Sequence, residues 1–133
     1  MKNILRKALV FATNKHNGRL YNGKPYISHP ILTAQLLEIT APNDKNLIAA
    51  GYLHDLLEDT DTTYEELKEL FNEDIANLVK EVTKTEYNTF PNLQTRRGVI
   101  LKFADRLANL SNMDAWDEGK QKKYLEKSKF WKP

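Results

Sequence analysis

Apolar residues recur along this chain at three- and four-residue intervals, and each run stops at a small, polar or ring-bearing breaker. Ile4, Leu5, Ala8, Leu9, Phe11 and Ala12 share one face and predict a first helix that ends at His16, before Asn17-Gly18. Residues 17–28 carry two glycines and a proline and predict an ordered loop. His29-Pro30 then opens a second helix, because proline suits a first helical position, and Ile31, Ala34, Leu36 and Leu37 give it a buried side. After Ala41-Pro42-Asn43 a third helix starts at Asp44 and runs through Leu47, Ile48, Ala49, Ala50 and Leu53 as far as Asp59. Thr62 with Glu65 forms a capping box for a fourth helix through Leu67, Leu70 and Phe71, and a fifth runs from Ile75 to Lys84. Residues 85–97 read as loop. Gly98 introduces an amphipathic helix in which Val99, Ile100, Phe103, Ala104, Leu107 and Leu110 form the apolar side and Lys102, Asp105, Arg106 and Asn109 the polar one. A last helix with a solvated basic face is expected from Asp117. No strand-like alternation of useful length occurs, so the expected fold is all-α: a single-domain bundle of about six to eight helices spanning 1–133.

One stretch concentrates the chemistry. At about 100° per residue, a helix through Tyr52–Thr60 turns His54, Asp55, Glu58 and Asp59 onto one arc and Leu53, Leu56 and Leu57 onto the opposite one. Three carboxylates and an imidazole so close together repel one another and are costly to desolvate, unless a cation gathers them. A divalent metal is the simplest such cation. Asp105 adds a carboxylate that could equally pair with Lys102 or Arg106. His29, aimed by a helix start, reads on its own as a hydrogen-bonded polar group, and His16 as a helix-end dipole partner or packed side chain.

Composition narrows these readings. At 133 residues the chain is expected to be one domain, since single cores commonly run to about 100–200 residues. With 20 Lys+Arg against 18 Asp+Glu, it lacks the excess positive charge of a dedicated nucleic-acid binder. The lack of cysteine excludes a thiolate site, so any metal must sit on nitrogen and oxygen. No apolar run approaches membrane-spanning length, and charges break the N-terminal run too early for a signal peptide. A soluble cytoplasmic protein without a membrane or nucleic-acid partner is expected.

The series Gly23-Lys-Pro-Tyr-Ile-Ser-His-Pro, then HDLLEDT at 54–60, then KFADRLANL at 102–110, resembles the HD-domain hydrolases of the RelA/SpoT type, most of all the stand-alone small alarmone hydrolases. The resemblance covers His16 to Leu110 in the same order. It implies that His29, His54, Asp55 and Asp105 are metal ligands, usually for manganese, and that Glu58 and Asp59 are the catalytic pair. Two imidazoles and two carboxylates suit manganese, with zinc or another divalent ion as an alternative. The metal acidifies water, so that hydroxide is available near neutral pH, and Glu58 and Asp59 orient it and carry protons. The implied reaction removes the 3′-pyrophosphate from guanosine tetra- or pentaphosphate alarmones, giving GDP or GTP. Asn109 matches a nucleotide contact, and Lys24, Lys84, Lys102 and Arg106 are candidates for the phosphate oxygens.

The chain also departs from that pattern. The loop after His16 is a residue shorter, and the expected Arg-Lys pair reads Leu20-Tyr21. Arg19 and Tyr21 are therefore the candidate replacements for a charged, base-stacking platform. After Asn109 the expected Met-Arg-Thr reads Leu110-Ser111-Asn112, and the segment between Thr83 and Asp105 is short. These altered walls leave open another phosphorylated nucleotide, an adenosine alarmone or a 2′-phosphorylated cofactor. A non-catalytic nucleotide sensor is a further reading, against which the retained Glu58 and Asp59 argue.

Overall fold

The short turn at residues 41–44 organises the architecture, because it makes the helices on either side of it antiparallel neighbours. In this computed structural model, which describes residues 3–21, 23–84, 91–111 and 119, the elements run α1 (Ile4–Lys15), β1 (Leu20–Tyr21), β2 (Lys24–Pro25), α2 (Ser28–Thr40), α3 (Lys45–Leu53), α4 (Leu56–Asp59), α5 (Tyr64–Leu70), α6 (Glu73–Glu81) and α7 (Arg96–Leu110). The fold is all-α as expected, apart from the ribbon β1–β2. The expected helix from Asp117 lies outside the described residues.

Helix α3 is the centre of the bundle, packed against α1, α2, α6 and α7. Leu47, Ile48 and Leu53 on it join Leu37, Leu56, Leu67, Ile75, Val79 and Leu101 in a fully buried core. Its approach to α2 is set by Gly51: a Cβ built there would lie 2.7 Å from Leu37 Cδ1 and 3.1 Å from the Ala34 Cα. Only a residue without a side chain lets the two backbones come this close. The antiparallel pairing brings the start of α2, with His29, beside the end of α3, with His54.

Several boundaries differ from the sequence reading. The third helix does not run unbroken to Asp59. It ends at Leu53, and α4 follows as a separate turn after His54 and Asp55. His54 Nδ1 donates to the Gly51 carbonyl at 2.7 Å, the acceptor that a continuing helix would offer to the Asp55 amide. Helix α5 is capped by Thr63, whose hydroxyl accepts from the Glu66 amide at 3.1 Å, not by Thr62, whose buried hydroxyl pairs with that of Thr60 at 2.7 Å. Both threonines stand three residues before a glutamate, so spacing could not separate them. Strands β1 and β2 form an antiparallel ribbon, Leu20 opposite Pro25 and Tyr21 opposite Lys24, with Gly23 at φ 81° between them. Two-residue strands are too short to alternate visibly.

Helix α7 starts two residues before Gly98, which makes Arg96-Arg97 helical. Thr95 caps it, accepting from the Gly98 amide at 2.9 Å. The Glu81 carboxylate also accepts from the amides of Gln94 and Thr95, both at 2.7 Å. A Cβ at Gly98 would fall 2.1 Å from Glu81 Oε2, so the glycine is there to admit that carboxylate.

Arg97 closes the bundle. Its guanidinium reaches both Asp44, the N-cap of α3, and Asp74 in the first turn of α6, with bonds of 2.9 Å to each. Hydrogen bonds from Arg97 hold both carboxyls below the usual carboxylate range. Groups depressed in this way stabilise the fold above the unfolded-state value of about 3.9, and that contribution is lost as pH falls through their folded-state values. Arg97→Ala is expected to cost about 1–2 kcal/mol at neutral pH, toward the low end for charged hydrogen bonds because the group is partly exposed. Urea melts at about pH 7 and pH 3 check this: the gap between variant and parent should shrink at the lower pH.

Candidate metal centre

Two imidazoles and two carboxylates from three segments, His29 of α2, His54-Asp55 of the α3–α4 junction and Asp105 of α7, converge at the shared end of α2 and α3. His29 Nε2 lies 2.8 Å and His54 Nε2 3.2 Å from the same oxygen, Asp105 Oδ1 on α7. The two rings stand 5.2 Å apart. Asp55 closes the group, with Oδ1 3.1 Å from His54 Nε2 and Oδ2 3.8 Å from His29 Nε2. One ligand atom each from His29, His54 and Asp105 falls within 4.8 Å of the others, and all three residues are buried.

The donor chemistry fits a divalent cation. Because His54 Nδ1 donates to the Gly51 carbonyl, the tautomer is fixed with Nε2 turned to the cluster, the second-sphere arrangement of metal-binding histidines. Burial works to lower the His54 pKa, but Asp55 and Asp105 outweigh it and raise the value to about 9. An imidazole that holds a proton between two carboxylates marks a place where a cation is wanted, and an entering metal must displace that proton. Asp105, despite burial, is held well below the usual carboxylate range by Lys102 and the imidazoles.

The remaining predicted residues fall around this group. Glu58 and Asp59 sit on α4, immediately beyond Asp55. Glu58 Oε2 accepts from the Lys84 backbone amide at 2.9 Å. Burial, followed by the Asp55 charge, raises the Asp59 pKa, while Arg19, with NH1 3.6 Å from Asp59 Oδ2, opposes the rise. Arg19 also lies over the Tyr26 ring at 4.2 Å and donates to His16 Nδ1 at 3.2 Å. Tyr21 stands 5.3 Å from the His29 ring and donates its hydroxyl to Asn109 Oδ1.

The basic candidates fare differently. Lys102 is buried with Nζ 3.0 Å from Asp105 Oδ2, so it serves the carboxylate that was expected to stand beside it on an open face. Arg106 is buried on the same helix. The polar side of α7 is turned inward, toward the charge cluster that solvates it. Lys84 has an exposed side chain and meets the site through its backbone, and Lys24 is exposed on β2.

Of the two readings of His16, helix-end dipole partner or packed side chain, the second holds: His16 is buried, and burial lowers its pKa to about 4, so it is a neutral acceptor for Arg19. One residue escaped the sequence reading. Tyr26 donates its hydroxyl to Asp55 Oδ2. The visible signal for Tyr26 was its place three residues before His29, one turn from a predicted ligand.

A helical bundle that gathers buried His29, His54 and Asp105 around one point, with the partly buried Asp55 beside them, defines a class of proteins with a nitrogen-and-oxygen site that could hold a divalent cation. Comparison with known proteins identifies the member of that class. The HD domain model matches residues 8–97, and the chain belongs to the HD-domain family. The guanosine-3′,5′-bis(diphosphate) 3′-pyrophosphohydrolase MESH1 of Homo sapiens is 34% identical over 143 residues, which cover 92% of this chain and 79% of that protein. The guanosine-3′,5′-bis(diphosphate) 3′-pyrophosphohydrolase of Spiroplasma citri is 41% identical over 126 residues, 82% of this chain and 17% of that protein. The chain spans 17–20% of the length of the first of its curated relatives, which are much longer proteins. A solved structure described as a metazoan ortholog of SpoT that hydrolyzes ppGpp superposes with a TM-score of 0.86 at 27% identity, over 97% of this chain and 83% of that one. Among the described residues no helix is long and apolar enough to cross a membrane.

Proposed function

We propose that this chain hydrolyses the 3′-pyrophosphate of guanosine tetra- and pentaphosphate alarmones, with manganese as its preferred ion and the cytoplasm as its place of action. The observation that carries this reading is the convergence of His29, His54 and Asp105 with Asp55, next to Glu58 and Asp59 on α4. The likeness to MESH1, most of whose length this chain covers, supplies the substrate class.

His29, His54, Asp55 and Asp105 would hold the ion, which when bound polarises a phosphate oxygen and acidifies a neighbouring water. The chain's own residues do the rest. Water adds to the phosphorus next to the 3′ oxygen, and the bond from that phosphorus to the 3′ oxygen breaks. One water proton ends on the 3′ oxygen and the other stays with the released pyrophosphate. Asp59, whose pKa is raised by burial, is suited to take a proton and return it to the leaving oxygen. Glu58, anchored by the Lys84 amide, is suited to orient the attacking water.

Turnover of purified nucleotides with manganese, resolved by ion-exchange chromatography, tests the reading. Pyrophosphate together with GDP or GTP is the expected product. Release of single phosphate from a 2′-phosphorylated cofactor, with alarmones untouched, would replace it with the second nucleotide reading.

The same panel tests base selectivity. Arg19 is engaged by His16, Tyr26 and Asp59, and the Tyr21 hydroxyl by Asn109, so an uncharged ring stands where the resemblance to the RelA/SpoT type leads one to expect Arg-Lys. Aromatic stacking gives about 1–3 kcal/mol per base and barely separates one base from another. Guanosine and adenosine 3′-pyrophosphates are therefore expected to have kcat/KM values within about tenfold, or 1.4 kcal/mol. Tyr21→Ala should raise KM for both alike. A guanosine preference of several hundredfold would show that other residues read the base.

A further inference from the structure

We propose that Tyr26 is a positioning residue for the metal centre: its phenol fixes the Asp55 carboxylate so that Oδ1 is left for the ion. Tyr26 donates to Asp55 Oδ2, while Asp55 Oδ1 lies on the other side of the carboxylate, 3.1 Å from His54 Nε2. Asp55 needs such help. It sits at the break between α3 and α4, it begins a helix of a single turn, and its side chain makes no cap bond to the backbone of α4. A carboxylate there is free to rotate unless something holds one oxygen.

The phenol is itself held. Its ring lies 4.6 Å from the His16 ring, 5.7 Å from the Tyr21 ring and 6.0 Å from the His29 ring, and the Arg19 guanidinium sits 4.2 Å from its centroid. The next turn of chain carries His29, since the His29 amide donates to the Tyr26 carbonyl at 3.0 Å. One short segment therefore supplies a ligand from α2 and orients a ligand from the far side of the cluster. A phenol has an ordinary pKa of about 10, so at neutral pH it keeps its proton and donates it to the Asp55 carboxylate. A neutral donor to a ligating carboxylate lowers the freedom of that ligand without competing for the ion, and loss of such a partner typically costs roughly 10–100-fold in metal affinity.

This inference rests on the metal site of the proposed function but not on its substrate. The test is manganese affinity, read by the electron paramagnetic resonance of free Mn²⁺ without nucleotide, for the parent chain and Tyr26→Phe. The variant keeps the ring and its contacts, and melts of both metal-free proteins verify the fold. A roughly 10–100-fold weaker Kd is expected, with turnover recovered once manganese saturates the site. Tyr21→Phe removes a neighbouring phenol bonded to Asn109, and should change the Kd by less than about twofold if only the Asp55 partner matters. An unchanged Kd in Tyr26→Phe would overturn the proposal. So would a loss of turnover at saturating manganese with the parent Kd, which would place the phenol on the reacting atoms. Failure of the alarmone reading itself would instead appear as normal manganese binding without nucleotide turnover.

Discussion

Asp55→Ala is expected to lose metal and turnover together. The carboxylate contributes an oxygen within 3.1 Å of His54 Nε2 and another within 3.8 Å of His29 Nε2, so its removal opens one side of the cluster. A bound cation supplies several kcal/mol of charge stabilisation in a phosphate reaction, which corresponds to roughly a thousandfold or more in rate. His54→Ala should behave in the same way. Elemental analysis of the purified proteins should give about one divalent ion per parent chain and far less in either variant, and a chelator should bring the parent down to the level of the variants. Full activity in the chelator with no metal detected would remove the basis of the metal reading. Asp105→Asn is a poorer probe, because it also breaks the buried ion pair with Lys102, a change that typically costs about 3–5 kcal/mol of stability.

Glu58→Gln and Asp59→Asn should separate chemistry from metal binding. Both side chains lie on α4 outside the His29, His54 and Asp105 group, and neither amide changes the size of the side chain. A positioned acid or base contributes about 10²–10⁴-fold, so kcat should fall by that factor while the metal content stays at the parent level. Gln at 58 can still accept from the Lys84 amide through its carbonyl oxygen, which keeps the local backbone in place. Asn at 59 cannot take up a proton at all. Near-normal kcat in either variant would show that its role has been misassigned, whereas joint loss of metal and rate would move that residue into the ligand set.

The sequence was legible where periodicity governs and illegible where side chains compete with the backbone. Ala8 and Ala12, Leu37, Leu47 and Ile48 were expected on helix faces that pack on the core and lie there, because such a helix must repeat its apolar residues at that interval. The HDLLEDT stretch stood out through its charge density and through the single arc onto which helical spacing turns those charges. What periodicity could not foresee was the break inside it, which depends on an imidazole taking a carbonyl from its own helix. The inward turn of Lys102 was hidden for a related reason: a lysine beside an aspartate reads as a surface pair until the two imidazoles that share the carboxylate are in view. Arg97 looked like loop because Thr95 was not recognised as a cap, and its partners Asp44 and Asp74 are 53 and 23 residues away.

Gly51 has a consequence for how variants of this chain should be interpreted. Its missing side chain sets the spacing of two helices, and its carbonyl aims the His54 ring. A mutational scan scored only on turnover would therefore mark position 51 as part of the reaction centre, although its own contacts are to Leu37, Ala34 and an imidazole nitrogen. Intolerance at this glycine would then report the aim of an imidazole transmitted through core geometry, and scans of abundance and of activity should diverge most sharply at substitutions small enough to fold.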